Sequence, residues 1–390
     1  MPLDITAAKS AAPQRIFAAI ELSRSKWVVA IHIAGADKTS LAELTSGDTA
    51  RLLELLERAR QQVAGAEASD VEIHTCYEAG YDGFWLHRFL RDRGIQNWVL
   101  DSASIQVSRR KRNVKTDRID AGGLLRVLMA WQRGEYRVCS VVTVPTPEEE
   151  DLKRLHRSRT SLVRDRLRHF NRIGGLLNLQ GIHDIDLMQK DWISRISKMK
   201  TRDGRSFPKR LLAELRREAR LLRVIIDLTA DVTKEIEALA RPKPAKRPRK
   251  GVRYEEHPVA ARLAKIVGVG PLFAAVFATE VFYRRFNNRR ELASYLGLTP
   301  TPYASGGSSR DQGISKAGNP IARYHAIELA WLWLRNQPGS RLTAWFNGRV
   351  GDAKGRVRRI AIVAMARKLM IALWRYLETG LVPEGATVRT

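Results

Sequence analysis

Two cysteines in 390 residues, Cys76 and Cys139, are too few for a disulfide scaffold, and no paired Cys/His spacing offers a structural zinc site. Both read as core thiols. Acids are scarce beside bases, 41 against 68, which leaves a formal charge of +27. A surplus of that size predicts attraction to polyanions that weakens with salt, with nucleic acid the default partner. Long apolar runs are missing too: nothing approaches the ~20 residues of a spanning helix. Met1 to Ser10 lacks a signal-peptide core. The expectation is a cytoplasmic protein with no membrane partner. Aromatics make up only 7%. Trp331, Trp333 and Trp345 at helical spacing fit a core better than nucleotide stacking.

What is present is length and patterning. A chain of 390 residues with 44% apolar content can bury two or three cores. In residues 1–145, Ile16 to Leu22, Trp27 to Ile33 and Lys38 to Leu44 read as three successive strands. Helix and strand then alternate: helix over Thr49 to Val63, strand over Val71 to Tyr77, helix over Tyr81 to Arg93 with Gly94 as its stop, and strand over Asn97 to Leu100. A last helix spans Asp117 to Arg133. That order is the order of an RNase H-like domain, a mixed sheet flanked by helices.

Residues 146–240 predict an antiparallel pair of long helices. Leu152, Leu155, Leu162 and Leu167 form an apolar seam beside Arg154, Arg157, Arg159, Arg164, Arg166 and Arg168. The arginines suit a solvated face or a row of phosphate contacts equally, and the seam suits dimerisation. Residues 241–258 begin with a proline-broken basic tract, Arg241 to Lys250, expected as a linker. Residues 259–390 form a mainly helical C-terminal domain. The overall class is α/β plus α.

Lys115-Thr116-Asp117-Arg118-Ile119-Asp120-Ala121 places two acids three apart at a helix start, hence on one face. Taken alone, this fits a solvated charged face better than a metal site. In an RNase H-like fold, however, Glu21 on the first strand, Glu78 after the Val71 strand, Asp117 and Asp120 are the metal-holding positions. Four converging carboxylates repel unless divalent cations neutralise them, and two Mg²⁺ (or Mn²⁺) ions ~4 Å apart can stabilise both the attacking and the leaving oxygen at a phosphodiester.

Gly268-Val269-Gly270, between an apolar helix end and a new helix, is similar to a helix-hairpin-helix turn, in which Gly268 and Gly270 let amides approach a phosphate. An ordinary glycine-stopped helix is the alternative. Beyond it stand Leu296-Gly297-Leu298, Ser305-Gly306-Gly307 and Gly313 to Asn319. Together with Tyr77-Glu78-Ala79-Gly80 and the Lys115 to Ala121 motif, these blocks resemble the DEDD-type transposases of the Insertion Sequence 110 family, in the family's order and over most of the chain.

The resemblance implies a RuvC-like N-terminal domain and a C-terminal transposase domain carrying a serine. Its implied activity is DNA cleavage and rejoining in a prokaryotic cytoplasm, on the nucleoid when DNA is bound, guided by a noncoding bridge RNA. Glu78, Asp117 and Asp120 match the family's acids and Ser305 its serine nucleophile, with Ser308 and Ser309 as alternatives. Lys115, Arg118, Arg310 and Lys316 are the expected nucleic-acid contacts. Two positions depart from the pattern. Glu21 stands where the family has aspartate, so its longer side chain must recover the ligand distance by a different rotamer. Ala304 stands where the family often has a first serine. Acids and serine in different domains imply a composite site and a homodimer or homotetramer. Two rival readings stay open: a water-using metal nuclease, and a nucleic-acid binder with a degenerate site.

Overall fold

The computed structural model describes residues 15–64, 71–80, 82–105, 116–240, 256–305 and 308–389, with the side chains of 303–311 left out. Lys115, the basic tract 241–250 and Gly306-Gly307 lie outside the described residues. The chain divides after Val144 into two compact units.

In the first unit, β1 (Arg15–Leu22), β2 (Lys26–Ile33) and β3 (Thr39–Thr45) form an antiparallel meander. They are followed by α1 (Thr49–Ala64), β4 (Glu72–Glu78), α2 (Trp85–Arg91), β5 (Gln96–Leu100) and α3 (Asp117–Gln132). β4 pairs parallel with β1 and β5 parallel with β4, giving the sheet order β3-β2-β1-β4-β5. This mixed sheet is consistent with an RNase H-like domain. Side chains alternate across a strand. Ile16, Ala18 and Ile20 therefore join Leu52, Leu56, Leu86 and Leu90 of α1 and α2 on one face. Phe17, Ala19 and Cys76 meet Ala121, Leu124, Leu125 and Leu128 of α3 on the other. β1 and β4 are buried on both faces, which is why they read as near-continuous apolar runs.

The second unit opens with α4 (Pro147–Asn178), started by a capping box between Thr146 and Glu149. The short α5 (Trp192–Lys198) leads to α6 (Lys209–Ala240). Contacts run in opposite directions along α4 and α6, from Arg159 with Thr233 (3.0 Å) to Arg172 with Glu214 (2.8 Å), so the pair is antiparallel. Of the leucines in the expected seam, Leu152, Leu155 and Leu162 are half-buried on α4 and Leu167 is 58% exposed. The fully buried positions of α4 are Lys153, His156, Ile173 and Leu177.

Both long helices pack on α8 (Pro271–Glu280), which is buried from Ala274 to Glu280. Around it lie α7 (Pro258–Ala264), α9 (Arg289–Tyr295), α10 (Pro320–Asn336), α11 (Arg341–Val350) and α12 (Arg356–Thr379). Trp333 is fully buried in this core. Between α9 and α10 lies a hairpin, β6 (Pro300–Ser305) and β7 (Ser308–Ile314). No helix among the described residues is long and apolar enough to cross a membrane.

Candidate active site

The parallel register pairs Ile20 with Tyr77, so Glu21 and Glu78 are the next neighbours along β1 and β4. Both share the strand parity of Ala19 and Cys76, which places them on the face covered by α3. The α3 stripe that buries Ala121, Leu124 and Leu128 continues N-terminally as Asp117 and Asp120, at the helical spacing of that same face. Thr116 caps this end, its Oγ1 accepting from the Ile119 N–H at 3.3 Å, and the first turn of a helix favours negative charge. Lys26, at the start of β2 beside the end of β1, lies 3.8 Å from Asp117, which puts the head of α3 over this edge of the sheet.

Four carboxylates therefore share one face and one end of the sheet. Their chemistry, oxygen donors only, fits a hard divalent cation. As placed, however, no three His, Cys, Asp or Glu side chains among the described residues are gathered closely enough to hold a metal. Asp117 faces Lys26. Arg118, expected to contact nucleic acid, pairs with Glu43 at 3.1 Å, and Lys26 approaches Glu43 at 3.6 Å. The Arg118 hydrogen bond, aided by the charge of Lys26, holds the Glu43 carboxyl below the usual carboxylate range.

In the second unit Ser305 is the last residue of β6, paired across the hairpin with Ser308 at its tip. Arg310 pairs with Tyr303, diagonal to Ser305. Lys316, expected as a nucleic-acid contact, follows β7 at the hairpin's base, about 26 Å of chain from the tip at 3.3 Å per residue. It has φ of 56°, a left-handed conformation rare for a side-chain-bearing residue. Two glycines hold the base together. Gly297 (φ +64°) and Gly318 (φ +120°) sit so close to the Ala317 and Tyr295 carbonyls that a Cβ at either would collide with backbone. Gly268 is also left-handed (φ +88°), and Gly270 is the N-cap of α8 with open space around it.

Sequence reasoning missed a buried polar cluster beneath this hairpin. Glu280 is 1% exposed at the end of α8. Its carboxylate lies 3.0 Å from the Nε of Arg157 and 3.0 Å from Nε2 of His156, and accepts from Asn319 Nδ2 at 2.7 Å. The His156 contact is close but off the line of a good hydrogen bond. Burial pushes the Glu280 pKa up, yet His156 and the charge of Arg157 outweigh it and bring it down to about 2. Asn319 also caps α10, and Tyr295 donates to the Glu280 carbonyl at 2.7 Å. Lys153 is buried with its Nζ 3.4 Å from the centre of the Tyr283 ring, and burial lowers its pKa to about 8. The available signal was a carboxylate ending the otherwise apolar run Pro271 to Thr279.

A family model described as "Transposase IS116/IS110/IS902 family" matches residues 260–343. A second model, DEDD_Tnp_IS110, described as "Transposase", matches residues 23–181, so it spans Glu78, Asp117 and Asp120 and begins just after Glu21. "Putative transposase y4rJ" of Sinorhizobium fredii is 42% identical over 379 residues, covering 96% of this chain and 95% of that protein. "Putative transposase y4qE" of the same organism is 26% identical, covering 96% and 91%. The "Transposase for insertion sequence element IS1111A" of Coxiella burnetii is 26% identical, covering 81% and 79%.

Proposed function

The chain belongs to the IS110 family of transposases, and from that premise we propose that it cuts and rejoins DNA strands through Ser305 and a carboxylate-held Mg²⁺ (or Mn²⁺), guided by a noncoding RNA. The carrying observation is that Glu21 and Glu78, register neighbours on parallel strands, share a face and an end of the sheet with Asp117 and Asp120. Those four side chains would hold the metal, drawing closer than they now stand. When bound, the cation supplies charge neutralisation at a scissile phosphate.

The Ser305 hydroxyl attacks phosphorus. A phosphoserine ester forms, the DNA oxygen leaves with its electron pair and is protonated, and a DNA hydroxyl later attacks the ester to reseal the strand and return the serine. Arg310, diagonal to Ser305 in the hairpin, would offset charge on the phosphorane. A hairpin tip suits such an attacker, because the strand pairing behind it limits how far it wanders. Acids and serine belong to different compact units, and the proposed chemistry needs both, from one protomer or from two in a homodimer or homotetramer. Exposed Leu221 (49%), Val224 (56%) and Leu228 (47%), at i, i+3 and i+7 on α6, support self-association through the long helices.

The test is denaturing electrophoresis of end-labelled DNA incubated with protein, Mg²⁺ and RNA transcribed from the flanks of the gene. A protein–DNA adduct present in wild type and absent from Ser305→Ala and Asp117→Ala is expected. Cleavage surviving Ser305→Ala would move the function to a nuclease that uses water. Binding without cleavage at any Mg²⁺ concentration would favour a degenerate site, with Glu21 as its cause.

A further inference from the structure

A concentration of unneutralised charge lies outside the acidic cluster and the serine hairpin. A groove of about 1150 Å³ runs between α9, α11 and α12. It is lined by Arg289 and Arg290 of α9, Arg341 of α11, and Arg367, Lys368 and Arg375 of α12. Glu384 is the acid that lines it, and it is spent on Arg341 at 2.6 Å. The other five cations have no carboxylate partner among the described residues.

This arrangement follows from how α12 divides its surface. Ala361, Met365, Leu369 and Leu373 are buried in the core, whereas positions 367, 368, 371, 372, 375 and 379 follow the helical repeat along the face toward the groove. Five uncompensated cations along one groove repel one another. Without a partner that arrangement costs stability, whereas a row of phosphates would relieve it.

The floor is apolar, with Ile371, Ala372, Leu381, Val382 and Pro383. Leu381 is 72% exposed there and Val382 42%. Trp345 stands in the wall with Lys368 Nζ 4.8 Å from its ring centre. A smaller cavity adjoins it at Arg289 and Arg375, lined also by Trp374, Thr379 and one acid, Glu378. Cations, apolar side chains and an aromatic ring lining one groove match a strand whose bases are free to turn inward.

We propose that this groove binds an unpaired phosphodiester strand, of DNA or RNA, as a site separate from the one that cuts. The proposal rests on the family's handling of nucleic acid. It needs neither the Ser305 nor the metal reading, because binding without cleavage suffices to test it.

The experiment is fluorescence anisotropy of labelled 20-nucleotide single-stranded DNA, single-stranded RNA and duplex DNA with the full chain, without divalent metal, from 0.05 to 0.3 M salt. Wild type is compared with Arg367→Ala/Lys368→Ala/Arg375→Ala. A control, Lys198→Ala/Lys200→Ala/Arg202→Ala, removes the same charge from exposed positions at and after the end of α5. At about 0.7 released ions per single-strand phosphate contact, losing three contacts should flatten the log–log salt slope by about 2 and weaken single-strand binding about 100-fold at 0.1 M salt. The control should change the slope little, and thermal melting should show both variants folded. Loss confined to RNA, or to single-stranded DNA, would each support the groove and identify its strand. An unchanged slope, an equal loss in the control, or a loss confined to duplex would overturn it.

Discussion

Glu280→Gln tests whether a buried carboxylate organises the second unit. The substitution keeps shape and an oxygen for Asn319, but removes the charge that faces Arg157 and His156. Burial favours the protonated form of Glu280; the His156 contact and the Arg157 charge win, and the carboxyl titrates at about 2 in place of the ordinary 4.5. A folded-state pKa below the unfolded one stabilises above the unfolded value and loses that stability as pH falls through the folded value. The carboxylate thus contributes about 3 kcal/mol at neutral pH, falling to roughly half by pH 3. Arg157 is 54% exposed and regains water in the variant, so the loss should not exceed this figure. For a unit of this size the variant should melt about 6–12 °C lower at pH 7. The assay is chemical denaturation of wild type and variant at pH 7, 5, 4 and 3, reading the difference between them so that other carboxylates cancel. A gap that stays constant from pH 7 to pH 3, or a pH 7 melting change under about 1 °C, would refute the reasoning.

Other substitutions read different links. Gly318→Ala puts a Cβ against the Tyr295 carbonyl at φ of +120°, and should cost about 2–3 kcal/mol and lower the melting temperature by several degrees. Lys316→Gly relieves a left-handed residue (φ 56°) at some cost in unfolded-chain entropy, and should stabilise by about 0.5 kcal/mol in denaturant titration. Burial raises the pKa of Cys76 and of Cys139. A thiol-reactive dye at pH 8 should therefore label neither in native protein and both in denaturant, and fast native labelling would contradict the core that α3 builds on the sheet.

The first unit was largely legible in its residues because its elements announce themselves locally. Each predicted strand and helix there falls within a few residues of an observed one, from β1 to α3. Alternation and apolar runs reflect a sheet covered on both faces, and the Thr116 cap marks where α3 begins. Asp117 and Asp120 were identifiable for the same reason, since a spacing of three on a helix defines a face without reference to the rest of the fold. The antiparallel α4–α6 pair was also readable from helical periodicity.

Other features had no local signature. β6 and β7, built of Pro, Ser, Gly and Asp, have little strand propensity of their own and exist because each supplies the other's hydrogen bonds. Nothing along α4 marks Lys153 and His156 as buried, and they are so because α8 ends in Glu280, more than a hundred positions away. The arginine-lined groove gathers cations from α9, α11 and α12, none of which carries enough charge alone to mark a site. The amino-acid order by itself determined where elements start, which faces are apolar and which acids share a helix face, since those depend on neighbours along the chain. Only the tertiary structure decided which charges are buried, paired or left open, because the energy of a charge depends on what the rest of the chain brings around it.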